Sequence, residues 1–137
     1  MKNNPIKVFL DANILFSISY KSESGLNQLF NLKNIQYFSC DYAVGEARRN
    51  LDKPDQHQRL EQVLTKITIT KTVLNLDLEE KIDLRDKDLP ILFSAISAGC
   101  EYLITGDLRD FGKFFGKQVL GVKVLPPRIF LEEAKIS

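Results

Sequence analysis

The stretch "VFLDANILF", residues 8–16, sets Asp11 and Asn13 inside an otherwise apolar run. Burying an unpaired carboxylate costs on the order of several kcal/mol, so a helix cap, a partner cation or a metal ion must offset it. Just upstream, "IKVFL" (6–10) is a short apolar run bounded by Pro5 and Asp11, which suits a buried central strand. Downstream, "NILFSISY" follows as a short helix.

The same alternation continues along the chain. "SGLNQLFNLK" (24–33) offers Leu26, Leu29, Phe30 and Leu32 as a helical face, and "IQYFSC" (35–40) reads as a second strand. Asp41 is placed to cap "YAVGEARRNL" (42–51), where Val44, Ala47 and Leu51 recur at spacings of three and four. Pro54 opens the next helix, "DQHQRLEQVLTKI", and "ITIT" (67–70) is β-branched and strand-like. Residues 71–87 suggest a loop with a short helix. "DLPILFSAISAG" (88–99) begins at Asp88 as cap, carries Pro90 in its first turn and stops at Gly99. It is apolar nearly all round, so it belongs inside, against the sheet. "EYLIT" (101–105) is a further strand and "QVLGVKVL" (118–125) a last one; Pro126 and Pro127 precede a terminal helix. Strands alternating with helices predict an α/β fold, a three-layer α/β/α sandwich around a mainly parallel sheet of four to five strands. The expected organisation is one domain over 1–137.

Composition fits that expectation. The chain has 137 residues, 44% apolar and 27% charged, enough to bury a core without staples. Nineteen basic against 18 acidic residues leave a net charge of +1, so no global field draws the protein to nucleic acid. Cys40 and Cys100 lie sixty positions apart and read as free thiols. No apolar stretch approaches the roughly 18 residues of a membrane span, and the expected location is the cytoplasm.

In parallel sheets, ligands bind beyond the carboxyl ends of the strands. Asp11 directly follows its strand, and Asp107 comes two residues after "EYLIT", with Asp110 three further on. Glu46 lies on the helix after the second strand, and Asp88 begins the buried helix. If these acids converge, each pair at about 4 Å costs about 4 kcal/mol at an effective dielectric near 20. A domain with a total stability of roughly 5–15 kcal/mol does not tolerate several such pairs. Either some acids hold protons, or a divalent cation neutralises them. Carboxylates favour Mg²⁺ or Mn²⁺, and the chain lacks zinc-type ligands, with His57 its only histidine and no Cys/His cluster. Mg²⁺ keeps waters and ligand phosphates in its shell, so the expected partner carries phosphate and the expected chemistry is phosphodiester hydrolysis.

Taken together and in this order, "VFLDANILF", "YAVGEARRNL", "DLPILFSAISAG" and "LITGDLRDFG" resemble the motifs of the PIN-domain family, whose bacterial members include the VapC-type toxins. The spacings also agree: 35 residues from Asp11 to Glu46, 42 to Asp88 and 19 to Asp107. The resemblance implies a PIN-like fold and a Mg²⁺- or Mn²⁺-dependent endoribonuclease, the toxin of a toxin–antitoxin pair. It implies an RNA substrate cut to a 5′ phosphate and a 3′ hydroxyl, an antitoxin protein as partner, and a homodimer. Asp11, Glu46, Asp88 and Asp107 would correspond to the catalytic acids. Asp11, Asp88 and Asp107 would hold metal, with Asp110 as an outer or second-metal ligand. Asn13 stands where the family more often has Thr or Ser, and Thr105 matches the Thr of the fourth motif. Asn13 would then fix the Asp11 carboxylate or cap the next helix.

Each residue also has a plainer reading. Asp11, Asp88 and Asp110 are all placed to cap helices, Asp107 sits in a turn after Gly106, and Glu46 has Arg49 and Asn50 at helical spacing. Asp83 and Asp86 rival Asp88 as ligands. Arg48 and Arg49, like Arg109 and Lys113, are either solvated or hold the RNA backbone beside the acids. Phe111, Phe114 and Phe115 pack in the core or stack on bases. Two other functions fit less of the chain. One is a PIN-like module that binds RNA or protein without cutting. The other is a phosphatase of the haloacid-dehalogenase type, which wants a second Asp where Asn13 stands.

Overall fold

Val8, Phe9 and Leu10 are wholly buried in the computed structural model, which describes residues 4–74 and 82–136. Such burial needs cover on both faces of the strand. This strand, β1 (Ile6–Leu10), lies inside a sheet of six strands among the described residues, in the order β3-β2-β1-β4-β6-β5. β2 (Ile35–Cys40) pairs parallel with one edge of β1, and β4 (Tyr102–Ile104) pairs parallel with the other. β3 (Thr68–Thr70) extends the sheet beyond β2, and β6 (Val122–Leu125) extends it beyond β4. Only β5 (Gln118–Val119) is antiparallel, to β6.

The expected four to five strands become six because "QVLGVKVL" turns back on itself. Leu120 and Gly121 both have positive φ, 50° and 89°, and their two-residue turn splits the run into a hairpin. A glycine inside a strand pattern was the signal for this break.

Helices flank the sheet. α1 (Ala12–Tyr20) starts directly after β1 and packs on α2 (Asp41–Asn50) and α3 (Pro54–Leu64). Its last carbonyls are satisfied from α3: Arg59 Nε donates to Ser19 O and Nη2 to Tyr20 O, each at 2.9 Å. α4 (Leu89–Ser97) is buried from Leu89 through Ala95, as its apolar circumference requires, and packs against β2 and β4. A one-turn helix, α5 (Leu108–Phe111), follows β4, and α6 (Pro127–Ile136) ends the fold with Phe130 edge-on to Tyr102. Among the described residues, no helix is long and apolar enough to cross a membrane.

Three local expectations change. The helix expected over 24–33 is a 3₁₀ helix, Gly25–Asn31, whose N-terminal amide at Leu26 donates to Ser24 Oγ. Only Leu29 of its apolar residues is fully buried, so little holds a longer α-helix in place. Asp41 is the first residue of α2 and not its cap; its carboxylate accepts from the Thr72 amide and hydroxyl, bracing the exit from β3. Asp88 occupies the cap position of α4, yet its carboxylate makes no hydrogen bond to the helix amides. Of the short helix expected within 71–87, residues 75–81 lie outside the described residues.

Candidate functional site

Chain direction across the sheet sets where a site can form. From β1 the chain winds outward through β2 and β3, then returns to β4 on the opposite edge of β1. The carboxyl ends of β1 and β4 therefore bound the crevice at which open parallel sheets bind ligands. Asp11 leaves β1 there, and Thr105, Gly106 and Asp107 leave β4.

The two strand ends are locked together by side chains. Asp11 is 4% exposed and accepts from the Ala12 amide at 2.6 Å, from Thr105 Oγ1 at 2.7 Å and from Asn13 Nδ2 at 3.2 Å. Thr105 Oγ1 also accepts from Asn13 Nδ2 at 3.2 Å and from the Asp107 amide at 3.0 Å. The single proton and both lone pairs of that hydroxyl are thus used. Asn13 Oδ1 in turn accepts from the Gly106 amide at 2.9 Å. The polar pair inside the apolar run 8–16 has its partners: Asp11 caps α1 with one oxygen while Asn13 and Thr105 hold the other. Burial pushes the Asp11 carboxyl up to about 6, against the Thr105 and Ala12 hydrogen bonds.

Asp88, Asp107 and Asp110 form a second acidic group, each offering an oxygen within 4.8 Å of the others. Asp107 caps α5, its Oδ1 accepting from the Asp110 amide at 3.0 Å, and this turns Asp110 back toward Asp107. Lys87 reaches all three: its ammonium lies 2.9 Å from Asp110 Oδ2, 3.2 Å from Asp88 Oδ1 and 3.6 Å from Asp107 Oδ2. Arg85 Nε adds a contact of 3.1 Å to Asp110 Oδ1. Burial, then a hydrogen bond shared with the Asp110 carboxyl when Asp88 is protonated, pushes Asp88 up. The Lys87 ammonium and then Asp88 hold Asp110 below the usual carboxylate range. Burial opposes the charge on Lys87, but Asp110 and Asp88 outweigh it and raise its pKa.

One atom is left over. With Asp88 ionised, its buried Oδ2 has no hydrogen-bond partner, a costly state for a carboxylate oxygen. Crowded carboxylates with an orphaned oxygen among them fit a hard divalent cation.

A pocket of about 550 Å³ opens onto both acidic groups, lined by Asp11, Asn13, Lys87, Asp88 and Asp107, with Glu46 from α2 and Phe16 from α1. Asp11 and Glu46 are wall residues of this pocket outside the three-acid group. The structure thus brings Asp11, Glu46, Asp88 and Asp107 to one place, with Asp110 beside them. The rival Asp86 is exposed, and Asp83 pairs with Lys113 at 2.8 Å; neither joins the group. Arg48 pairs with Glu61 at 2.8 Å, Arg49 and Arg109 are exposed, and neither these three nor Lys113 lines the pocket. Phe111 is core, and Phe114 and Phe115 pack partly buried against it. The cation that does line the pocket, Lys87, escaped the sequence reading, although "RDKD" (85–88) sets it directly beside Asp88.

No curated protein matches the chain in sequence. Among solved structures, a chain of VapBC2 from Rickettsia felis, determined bound to a DNA fragment from the promoter, matches with a TM-score of 0.62 at 18% identity. The match covers 88% of this chain and 98% of that one. A chain of VapBC-1 from nontypeable Haemophilus influenzae matches with a TM-score of 0.60 at 14% identity, over 90% of this chain and 99% of that one. At such identities the likeness is one of fold. The PIN domain family matches residues 7–109, from the second residue of β1 into α5, and the chain belongs to that family.

Proposed function

We propose that this protein is a Mg²⁺- or Mn²⁺-dependent endoribonuclease and the toxin of a toxin–antitoxin pair acting in the cytoplasm. The observation that carries the reading is the buried, partnerless Asp88 Oδ2 beside Asp107 and Asp110. Asp88, Asp107 and Asp110 would hold the cation, with Asp11 as a further ligand from the facing strand end. A bound divalent cation supplies an activated water and charge stabilisation on the phosphoryl oxygens. Glu46 lines the same pocket outside the three-acid group, and its carboxylate would serve as the proton acceptor. Asn13 and Thr105 keep the Asp11 carboxylate in one orientation. Exposed Arg49 and Arg109, with Arg48 and Lys113 once released from Glu61 and Asp83, would hold the flanking RNA backbone while the scissile phosphate sits at the acids. The products are a 5′ phosphate and a 3′ hydroxyl.

An antitoxin partner is supported by the VapBC assemblies whose chains share the fold. A homodimer follows from the family resemblance and is checked by light scattering. The central test incubates the purified protein with end-labelled RNA and Mn²⁺, with EDTA and Asp11→Asn as controls. Cleavage in Mn²⁺ alone is expected; cuts that survive EDTA, or persist in Asp11→Asn, would reject the assignment.

A further inference from the structure

Lys87 touches the same three carboxylates that the proposed cation would use. Its ammonium is 2.9 Å from Asp110, 3.2 Å from Asp88 and 3.6 Å from Asp107. We infer that Lys87 is a tethered competitor for the cation site: its ammonium holds the three acids together until a divalent ion displaces it. This rests on reading the pocket as a divalent-cation site.

The argument is one of space and charge. Three carboxylates with oxygens within 4.8 Å of one another enclose room for one cation. Mg²⁺ needs oxygens at roughly 2.0–2.1 Å in near-octahedral order, which an ammonium hydrogen-bonded to the same oxygens obstructs. Two cations at that separation also repel each other. One unit charge nevertheless satisfies the group incompletely, since Asp88 Oδ2 stays without a partner. A doubly charged ion offers what Lys87 lacks, and so can displace it.

Withdrawal is easy for this side chain. Lys87 is 49% exposed and hangs on a flexible stem from the turn before α4. The backbone of that turn is fixed independently, with the Asp88 and Leu89 amides donating to Arg85 O at 2.9 and 3.2 Å. The ammonium can therefore swing to solvent while Asp88 stays in place. The site remains assembled without metal, and loading requires a cation concentration high enough to beat the tether.

Two measurements test this. Calorimetric titration of Mn²⁺ into wild type, Lys87→Met and Lys87→Gln is expected to give roughly tenfold tighter binding in both variants. Limited acetylation of the wild-type protein, read by mass spectrometry, asks whether the ammonium leaves; Mn²⁺ should raise Lys87 modification several-fold, and this arm needs no variant to fold. Equal or weaker Mn²⁺ binding in the variants, or unchanged Lys87 reactivity, overturns the inference and leaves the nuclease reading standing if wild type binds Mn²⁺. Absence of Mn²⁺ binding in all three proteins overturns the cation site and this inference together.

Discussion

Thr105 Oγ1 donates to Asp11 Oδ2 at 2.7 Å and so ties the carboxyl end of β4 to that of β1. The same hydroxyl accepts from Asn13 Nδ2 and the Asp107 amide, so one oxygen organises both acidic walls of the pocket. Replacing it with the isosteric apolar side chain, Thr105→Val, leaves two donors without an acceptor and Asp11 without its strongest hydrogen-bond support. The expected loss is about 1–3 kcal/mol of stability, read by urea denaturation, with reduced RNA cleavage. Thr105→Ser should restore both. A Val variant as stable as wild type would show that the hydroxyl is not needed there.

Asp11 carries a cost at neutral pH that its removal should expose. Its carboxyl is pushed up to about 6 by burial, whereas in the unfolded chain it titrates near 4. Between those values the folded chain keeps a proton that the unfolded chain has lost. The Asp11 contribution to stability is therefore full below about pH 4 and is lost as pH rises through about 6. Asp110, held low by Lys87 and Asp88, works with the opposite sign, and its contribution disappears as pH falls through its depressed value. In metal-free protein, Asp11→Asn should remove the Asp11 titration from the pH dependence of stability, and with metal it should abolish cleavage. A stability profile from pH 4 to 7 should be flatter in the variant than in wild type. Matching profiles would remove the raised carboxyl from the account.

In the proposed mechanism, Glu46 is the residue that separates chemistry from cation holding. It lines the pocket from α2 but stands outside the three-acid group. Glu46→Gln should lower the cleavage rate by roughly 10²–10⁴-fold, the range for a general base, while Mn²⁺ binding by titration changes little. Parallel losses in rate and Mn²⁺ affinity would make it a ligand instead.

Much of this was legible in the sequence because burial and chain direction leave local marks. "IKVFL" reads as a central strand from its apolar run alone, and the alternation around it supplies the parallel class. Asp11 and Asp107 could be put at one sheet edge because each directly follows a strand. The two-residue reversal at Leu120–Gly121 was hidden because the β-branched residues on both sides run together as one strand. Lys87 was hidden for a different reason. Charged runs such as "RDKD" ordinarily face water, and only the return of α5 beside α4 places three carboxylates around that ammonium. Spacing shows which residues can meet, whereas the partner of Asp88 depends on how a turn is packed.

The sharpest discrimination between a cation site and a merely acidic surface compares Asp107 with Asp86. Both lie near Asp88 in the chain or in space, but Asp107 shares the three-acid group, while Asp86 is exposed outside it. If a divalent ion binds the folded group, Mn²⁺ at about 100 times its dissociation constant should stabilise the fold by about 2.7 kcal/mol, since linkage rewards only the folded state. Asp107→Asn removes one carboxylate of the three-acid group and should cancel most of the Mn²⁺-induced rise in Tm. Asp86→Asn removes the same charge at the surface and should leave that rise intact, because exposed charges are largely screened. Differential scanning fluorimetry with and without Mn²⁺ on the three proteins reads the contrast directly. Equal losses in both variants would mean that Mn²⁺ responds to net acidity, and the pocket would then hold no specific ion.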